Sequence, residues 1–245
     1  MYKDLANATV QIISGSSSGS GFHFVKENIV ITNHHVIEPS LISGDIPIYG
    51  QYEDGSICTL KIIDYSDKTE YDYAILEVTQ TQNFNPFILN PKVLEKFERG
   101  TEIIFSGFPH GIPHLLTHKA IISAPVSKGF YIDGSVNGGN SGGPIIDAYD
   151  GNVIGIVTQR RYVGSVDLQH ILQESRQLES HFLNLSKGGS VFIMGVDFKD
   201  FAMKMAKTNN IVSDVLTHNA NSGIGIGFSI CFVYKKLQEL GIISE

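Results

Sequence analysis

Short apolar segments rich in Ile, Val, Tyr and Phe follow one another between residues 8 and 159. They lie at 8–13, 22–25, 29–32, 46–52, 58–64, 73–78, 102–107, 115–123, 129–133, 143–148 and 152–158. Glycine, asparagine, aspartate or proline separates most of them, and the Ser- and Gly-rich segment 14–21 is predicted to be a loop. Because such segments recur about every 8–12 residues without helical patterns between them, they predict an all-β sandwich or barrel.

The periodicity changes after residue 159. Apolar residues then recur at spacings of three and four, which is typical of amphipathic helices. The predicted elements are a helix at 166–185, a second helix after Asp197, a strand at 225–230 and a closing helix at 232–240. Ser165 is a candidate N-cap for the first helix. The sequence therefore predicts a helical block at 160–222 inside a β protein.

Composition narrows the class of protein. The chain has 245 residues, of which 42% are hydrophobic and 18% charged, as expected for a globular protein. A net charge of −7 argues against nucleic acid or an anionic membrane as the main partner. No apolar run approaches the roughly 20 residues that span a bilayer, and no export signal precedes the first segment. We therefore expect a cytoplasmic protein with Cys58 and Cys231 as free thiols.

The most specific motif is the segment 138–144, Gly-Gly-Asn-Ser-Gly-Gly-Pro. A serine hydroxyl is a weak nucleophile that needs a base and a group to stabilise the oxyanion formed on attack. Glycines permit a tight turn that aims the N–H groups of Gly139 and Ser141 at one point. Loss of one such donor costs about 3 kcal/mol of transition-state stabilisation. The alternative is an ordinary Gly-rich turn between strands.

Two further segments supply a candidate base and a carboxylate. His34 and His35 follow the apolar strand in 31–36, Ile-Thr-Asn-His-His-Val, and either imidazole can exchange a proton near neutral pH. Asp72 opens an apolar strand in 71–76, Tyr-Asp-Tyr-Ala-Ile-Leu, where a carboxylate can orient an imidazole. Taken singly, each of these residues also fits a structural role.

Together, the candidates follow the chain order His, Asp, Ser of chymotrypsin-like proteases. The three segments resemble the motifs of trypsin-like serine proteases, most closely of their HtrA/Deg branch. The resemblance selects His35 over His34, because the catalytic histidine of that branch directly precedes valine. Weaker similarities lie at 105–109 and 225–230.

The resemblance implies two six-stranded antiparallel β-barrels of the chymotrypsin type, with a helical insertion and a C-terminal helix. The implied domains are an N-terminal barrel at 1–98, a C-terminal barrel with its closing helix at 99–159 plus 223–245, and the insertion at 160–222. It also implies a serine endopeptidase that works through His35, Asp72 and Ser141 and forms an acyl-enzyme. No metal or organic cofactor is expected. Protein or peptide is the implied substrate.

The resemblance also implies which residues determine substrate preference and whether the enzyme is activated by cleavage. Ser135 lies at the base of the implied specificity pocket, where a neutral side chain does not favour Lys or Arg. Val157, Thr158 and Gln159 are expected to pair with the substrate as an added strand. Asn140 stands where secreted family members carry the aspartate that pairs with a new N-terminus, so we expect no activation of that kind.

The insertion replaces a short loop of the family, and HtrA relatives usually carry a PDZ domain that we do not expect here. Residues 160–222 either gate substrate access, receive an activating partner protein, or only add stability. A rival to the enzyme is a catalytically silent binding or sensor module, which the loosening effect of Gly138 keeps open. A metal site at His110, His114 and His118 is disfavoured, because Pro109 and Pro113 break any helix there.

Overall fold

The computed structural model describes residues 1–81, 85–161, 166–219 and 223–244. Its helices are α1 (Tyr2–Ala8), α2 (His34–Ile42), α3 (Val166–Ser186), α4 (Phe198–Asn219) and α5 (Cys231–Glu239). The strands up to the middle of the chain are β1 (Thr9–Ser14), β2 (Ser17–Phe24), β3 (Lys26–Thr32), β4 (Ile48–Gln51), β5 (Ile57–Ser66), β6 (Tyr73–Thr81) and β7 (Glu102–Gly107). The remaining strands are β8 (Leu116–Val126), β9 (Gly129–Asp133), β10 (Pro144–Asp147), β11 (Val153–Arg161), β12 (Phe192–Ile193), β13 (Val196–Asp197) and β14 (Ile224–Ser229).

Twelve of these strands close into two barrels. The first barrel has the strand order β1-β2-β3-β6-β5-β4 and the second the order β10-β11-β14-β9-β8-β7. The strand pairs within both barrels are antiparallel, which confirms the predicted fold class. The chain divides into two compact units: the barrel unit, Met1–Arg161 with Gly223–Glu245, and the helical unit, Tyr162–Ser222. The predicted division into domains at 1–98, 99–159 plus 223–245, and 160–222 stays a prediction.

Alternation along the strands explains how each barrel fills its own interior and also contributes to an apolar layer between the barrels. Successive strand residues point to opposite faces. In β3, Val30 points into the first barrel, while Ile29 and Ile31 pack in the apolar layer between the barrels. In β7, Ile104 joins this layer while Ile103 and Phe105 fill the second barrel. The layer also includes Phe22, Phe24, Ile146, Val233 and Leu237, so α5 closes the junction of the barrels.

The segment 14–21 is not the loop that its composition predicts. Most of it forms β2, which pairs with β1 and β3. A Cβ atom at Gly21 would lie 2.9 Å from both Ile12 Cγ1 and the Ile31 carbonyl oxygen. Glycine is required there because neighbouring strands approach the backbone closely, not because the chain turns. Helix α2, which begins at His34, is also not predicted by the apolar pattern.

In the helical unit, α3 and α4 confirm the two predicted helices. Ala202 and Ala206 of α4 are buried, and the Ser175 hydroxyl of α3 donates to the Asn209 carbonyl at 3.2 Å. Between the helices, β12 and β13 form a hairpin that the sequence pattern does not predict. Its turn residues Met194 and Gly195 both have positive φ, as in the tight turns that join paired strands. The predicted cap Ser165 lies outside the described residues.

Candidate active site

Asp72 lies immediately before β6 and is fully buried. Its φ of 47° is left-handed, a conformation that is uncommon for residues other than glycine. The Asp72 N–H donates to the Asp67 carbonyl at 3.1 Å, and the Asp72 carbonyl accepts from Asn33 Nδ2 at 2.6 Å. Such strained positions persist where the surroundings hold them and are concentrated at functional sites.

His35 lies in the first turn of α2 and meets this carboxylate with both its ring and its backbone. His35 Nδ1 is 2.8 Å from Asp72 Oδ2, and the His35 N–H donates to Asp72 Oδ1 at 3.1 Å. The imidazole is 31% exposed, so its other edge is open to a reacting group. The neighbouring His34 is buried and packs on the Tyr65 ring, with centroids 5.3 Å apart. The structure thus joins Asp72 to His35 and not to His34.

The second barrel and α5 hold the segment that precedes Asp72. The Tyr71 ring stacks on Phe232 of α5 with centroids 3.9 Å apart. Lys128, which lies between β8 and β9, donates to the Glu70 carbonyl at 2.6 Å and lies over the Tyr71 ring. In the same segment, hydrogen bonds from the Thr69 side chain and backbone lower the pKa of Asp67. The position of the carboxylate therefore depends on contacts across the barrel junction.

Ser141, the predicted nucleophile, lies between β9 and β10 in residues 137–143, which we call the nucleophile loop. The Ser141 carbonyl accepts from the Ser20 N–H of β2 at 2.7 Å. Gly142 has a φ of 86°, and a side chain there would overlap the Ser20 carbonyl and the Thr32 hydroxyl. The loop therefore packs directly on β2 and on the end of β3, close to the start of α2. The Ser141 hydroxyl donates to the Thr158 carbonyl at 3.1 Å, and within the described residues it makes no hydrogen bond to His35.

The nucleophile loop also contains the two predicted oxyanion donors. The Gly138 carbonyl accepts from the His110 N–H at 2.8 Å. Because a trans peptide is planar, the Gly139 N–H must point the opposite way, away from His110. In the described part of the chain, the N–H groups of Gly139 and Ser141 have no acceptor. Gly139 has a φ of 94°, which fits the predicted use of glycine at this turn.

Strand β11 contains the three residues predicted to pair with a substrate, and their backbone groups differ in whether they already have partners. Both backbone groups of Val157 are already paired, its N–H with the Gly143 carbonyl and its carbonyl with the Gly142 N–H. The pairing of β11 with β14 then shifts between Val157 and Gln159, so that Thr158 occupies a bulge. Bulges often occur beside active sites, where they redirect backbone groups. Val157 is therefore already engaged, Gln159 is a register partner of Ile226 in β14, and substrate pairing by the three residues stays a prediction.

Asn33 is a site residue that the sequence motifs do not single out as functional. It is fully buried, and its Nδ2 donates both to the Asp72 carbonyl and to Thr158 Oγ1, the latter at 3.2 Å. It thus ties the carboxylate segment of the first barrel to β11 of the second. Its position beside the two histidines is the only sequence signal for this role.

Ser135, predicted for the specificity pocket, lies exposed after β9.

Neither a metal centre nor a membrane span emerges from the residues that the structure describes. Among them, no three His, Cys, Asp or Glu side chains come together in a way that could hold a metal ion. The His118 ring instead packs on Phe105, with centroids 4.7 Å apart, and burial lowers its pKa. No described helix combines the length and the apolar character needed to cross a membrane.

Comparison with known proteins places these motifs in a family. The chain is 34% identical over 149 residues to the "Probable periplasmic serine endoprotease DegP-like" of Chlamydia muridarum, which covers 57% of this chain and 28% of that protein. It is 29% identical over 153 residues to "Protease Do-like 1, chloroplastic" of Arabidopsis thaliana, covering 58% of this chain and 33% of that protein. The chain thus spans about a third or less of these curated relatives.

The fold is shared with a solved structure, the crystal structure of Deg5. The superposition has a TM-score of 0.54 at 22% sequence identity and covers 64% of this chain and 81% of that one. The sequence model of the trypsin-like peptidase domain matches residues 19–156, which include His35, Asp72 and Ser141. Because this match extends over more than half of the chain, the chain belongs to the trypsin-like peptidase domain family.

Proposed function

We propose that the chain is a serine endopeptidase that uses His35, Asp72 and Ser141. The observation that carries this proposal is the pair of contacts between Asp72 and His35, at 2.8 Å to the ring and 3.1 Å to the backbone. A buried carboxylate that holds an imidazole in this way fixes the ring orientation and its tautomer. The N–H groups of Gly139 and Ser141, which have no acceptor among the residues that the structure describes, support the same chemistry.

The proposed reaction is acyl transfer. His35 keeps a proton on Nδ1, which faces Asp72, and accepts the Ser141 proton on Nε2 as Ser141 Oγ attacks the peptide carbonyl. The oxyanion formed on that carbon accepts hydrogen bonds from Gly139 and Ser141. His35 then gives its proton to the leaving amine, and a water that it activates hydrolyses the acyl-enzyme.

The Ser141 hydroxyl must turn from Thr158 to His35 before it reacts. In the structure it donates to the Thr158 carbonyl at 3.1 Å. We propose that a substrate strand pairing with β11 offers its own N–H to this carbonyl and releases the hydroxyl. Rotation about one side-chain bond then suffices, because staggered rotamers of serine interconvert easily.

A catalytically silent binding module is the second candidate, and the same contact favours it, since the hydroxyl has an acceptor other than the base. A fluorophosphonate probe separates the two. Its phosphorus forms a bond to an activated serine oxygen while fluoride leaves, which requires proton removal by a base. We expect one phosphonyl adduct on the full chain, at Ser141, located by peptide mass mapping.

The control for this labelling is the urea-denatured chain, which should remain unlabelled because His35 and Ser141 are separated. The probe is applied to the native chain a second time after addition of cell extract. This condition detects an enzyme that is latent until a component of the extract activates it. A native Ser141 without adduct under both conditions would establish the silent module.

We further propose that the helical unit regulates the enzyme by receiving a partner protein. Its β12–β13 hairpin presents large apolar side chains to solvent: Val191, Phe192, Ile193, Met194 and Val196 are each more than half exposed. Met194 is fully exposed and left-handed at φ 51°, a conformation in which glycine or asparagine is favoured. Apolar side chains that neither fill a core nor suit their turn are consistent with a binding role. The alternative is a unit that only adds stability.

Replacement of residues 162–222 by a short Gly/Ser linker tests this proposal. Arg161 and Ile224 are register partners in adjacent antiparallel strands, so a few residues can join them without strain. We expect the linker variant to differ from the wild-type chain by about tenfold or more, either in kcat/KM without extract or in the change of kcat/KM that extract causes. This is the size of a typical coupling between sites.

A variant with Phe192→Ser and Met194→Ser is expected to lose the response to extract. The matched control is Tyr149→Ser, which removes a 95% exposed aromatic side chain from the barrel unit. Unchanged kinetics and an unchanged response in the linker variant would leave stability as the role of the helical unit.

The cleavage preference and the cellular location of the protein stay predictions. The neutral Ser135 favours cleavage after small or medium uncharged residues. A cytoplasmic location is proposed from the sequence alone, and the two relatives described above carry periplasmic and chloroplastic in their names.

A further inference from the structure

We infer that Ser20 of β2 is a positioning residue that holds the nucleophile loop with its two N–H groups turned toward the reacting carbonyl. The inference rests on the proposed peptidase function and adds to it a residue from the first barrel. Ser20 is fully buried and lies outside the three motifs.

Among the described residues, four hydrogen bonds connect Ser20 to segments other than its neighbour β1, and two of them go to the nucleophile loop. Its Oγ donates to the Gly139 carbonyl at 2.7 Å, and its N–H donates to the Ser141 carbonyl at 2.7 Å. The same Oγ accepts from the Phe108 N–H at 2.9 Å. The Ser20 carbonyl accepts from the Thr32 hydroxyl at 2.6 Å, which anchors it to β3.

These bonds help to hold Gly139, a loop residue whose φ of 94° is left-handed. The peptide that precedes Gly139 is held through the Gly138 carbonyl by the His110 N–H, and the peptide that follows it is held through the Gly139 carbonyl by Ser20 Oγ. Glycine populates both halves of φ space about equally. The Gly139–Asn140 peptide has a second anchor, the bond from the Asn140 N–H to the Asn137 carbonyl at 3.1 Å. Without the Ser20 hydroxyl, the Gly139 carbonyl loses its partner, and the turn that places the N–H groups of Gly139 and Ser141 on one side is held less tightly.

Within the described ranges, no other side chain donates to the Gly139 carbonyl. Asn140 is fully buried in the loop, but both polar atoms of its side chain are without a partner among the described residues. Gly19 is the neighbour of Ser20, and a Cβ atom there would lie 2.6 Å from Val36 Cγ2 and 2.9 Å from the Ser141 carbonyl oxygen. The strand thus lies directly against the loop, and the Ser20 hydroxyl is the polar side chain at the contact.

The test compares Ser20→Ala with Ser14→Ala. Ser14 is the matched control because it is a fully buried serine of the same barrel whose Oγ bonds to Ser40 Oγ at 2.6 Å, away from the loop. For Ser20→Ala we expect kcat to fall about 10- to 100-fold, below the effect of deleting an oxyanion donor outright. KM should stay within about threefold, and the Ki of a peptide boronic acid, which forms a tetrahedral adduct on Ser141, should rise in parallel with the loss of kcat. Ser14→Ala should leave all three values within about threefold of wild type.

Hydrogen exchange gives a readout that needs no activity. We expect faster deuterium uptake in peptides covering 137–143 for Ser20→Ala, with unchanged uptake for Ser14→Ala. Ser20→Cys, which keeps a side chain of similar shape but donates weakly, serves if Ser20→Ala does not fold. Its loop should exchange faster than that of wild type.

The inference is overturned if loop exchange in the Ser20 variants matches wild type, or if Ser20→Ala and Ser14→Ala lower kcat equally. A wild-type chain that neither hydrolyses peptides nor reacts with the fluorophosphonate probe refutes the proposed function instead. In that case, deuterium uptake of the peptides covering 137–143 still decides whether Ser20 holds the nucleophile loop.

Discussion

Ser141→Ala is expected to lower kcat/KM for an unfolded protein substrate by about 10⁶-fold, the size seen when a serine protease loses its nucleophile. Alanine retains the backbone N–H of residue 141, so the oxyanion donors remain and some acceleration over water persists. The loop should keep its conformation, because the contact of residue 141 with Ser20 is made by the backbone. The measurement is the initial rate of fluorescence release from labelled, unfolded casein, at protein concentrations high enough to detect the residual rate.

The matched control is Ser229→Ala in β14 of the same barrel. Ser229 is buried, and its Oγ accepts from the Cys231 N–H at 3.3 Å, away from the nucleophile loop. We expect its rate to stay within about threefold of wild type. Adding His35→Ala to Ser141→Ala should cause little further loss, since residues that act as a unit are not additive. A Ser141→Ala chain with more than about a hundredth of wild-type activity would contradict the assigned nucleophile.

The candidate residues of the proposed site can be recognised in the sequence because their signals are local. The glycines around Ser141, the histidines at the end of a strand and Asp72 at the start of another each have a residue-type signature that needs no tertiary information. The alternation of apolar residues likewise predicts most strands of both barrels, because one face of each strand is buried. In β7 and β9, even the predicted ends agree with the structure.

Other features depend on contacts between distant segments and leave no local pattern. The composition of strand β2 predicts a loop because the segment is rich in glycine. In the structure, these glycines are required because β1 and β3 approach the backbone of β2 closely. The left-handed backbone of Asp72 is imposed by Asn33 and by the segment that Lys128 and Tyr71 anchor. Propensity is only a weak prior against such tertiary contacts.

The same limit applies to Ser20. In the sequence it is one serine of a Ser- and Gly-rich run, whereas in the structure its hydroxyl joins the two barrels. The proposed active site is divided between two barrels and needs such contacts, because neither barrel alone positions both the proposed base and the proposed nucleophile. The residues that align the barrels are therefore less visible in the sequence than the residues that react.

Asp72→Asn is expected to lower kcat/KM by about 10⁴-fold at neutral pH while the fold is retained. Asparagine is nearly isosteric, and its oxygen can still accept from the His35 N–H as Asp72 Oδ1 does at 3.1 Å. Its NH₂ group then faces His35 Nδ1, which must become an acceptor, so the ring proton moves to Nε2. An imidazole that already carries its proton on Nε2 cannot take one from Ser141.

The control for Asp72→Asn is Asp147→Asn, which neutralises a buried carboxylate of the second barrel that pairs with Lys92. Loss of that ion pair should lower the midpoint of thermal unfolding but leave kcat/KM within about threefold at a temperature where the variant is folded. Turnover of both variants is measured with the casein substrate, and folding is checked by circular dichroism. If Asp72→Asn keeps more than about a tenth of wild-type activity, the imidazole does not depend on this carboxylate for its tautomer, and the contact at 2.8 Å is only structural.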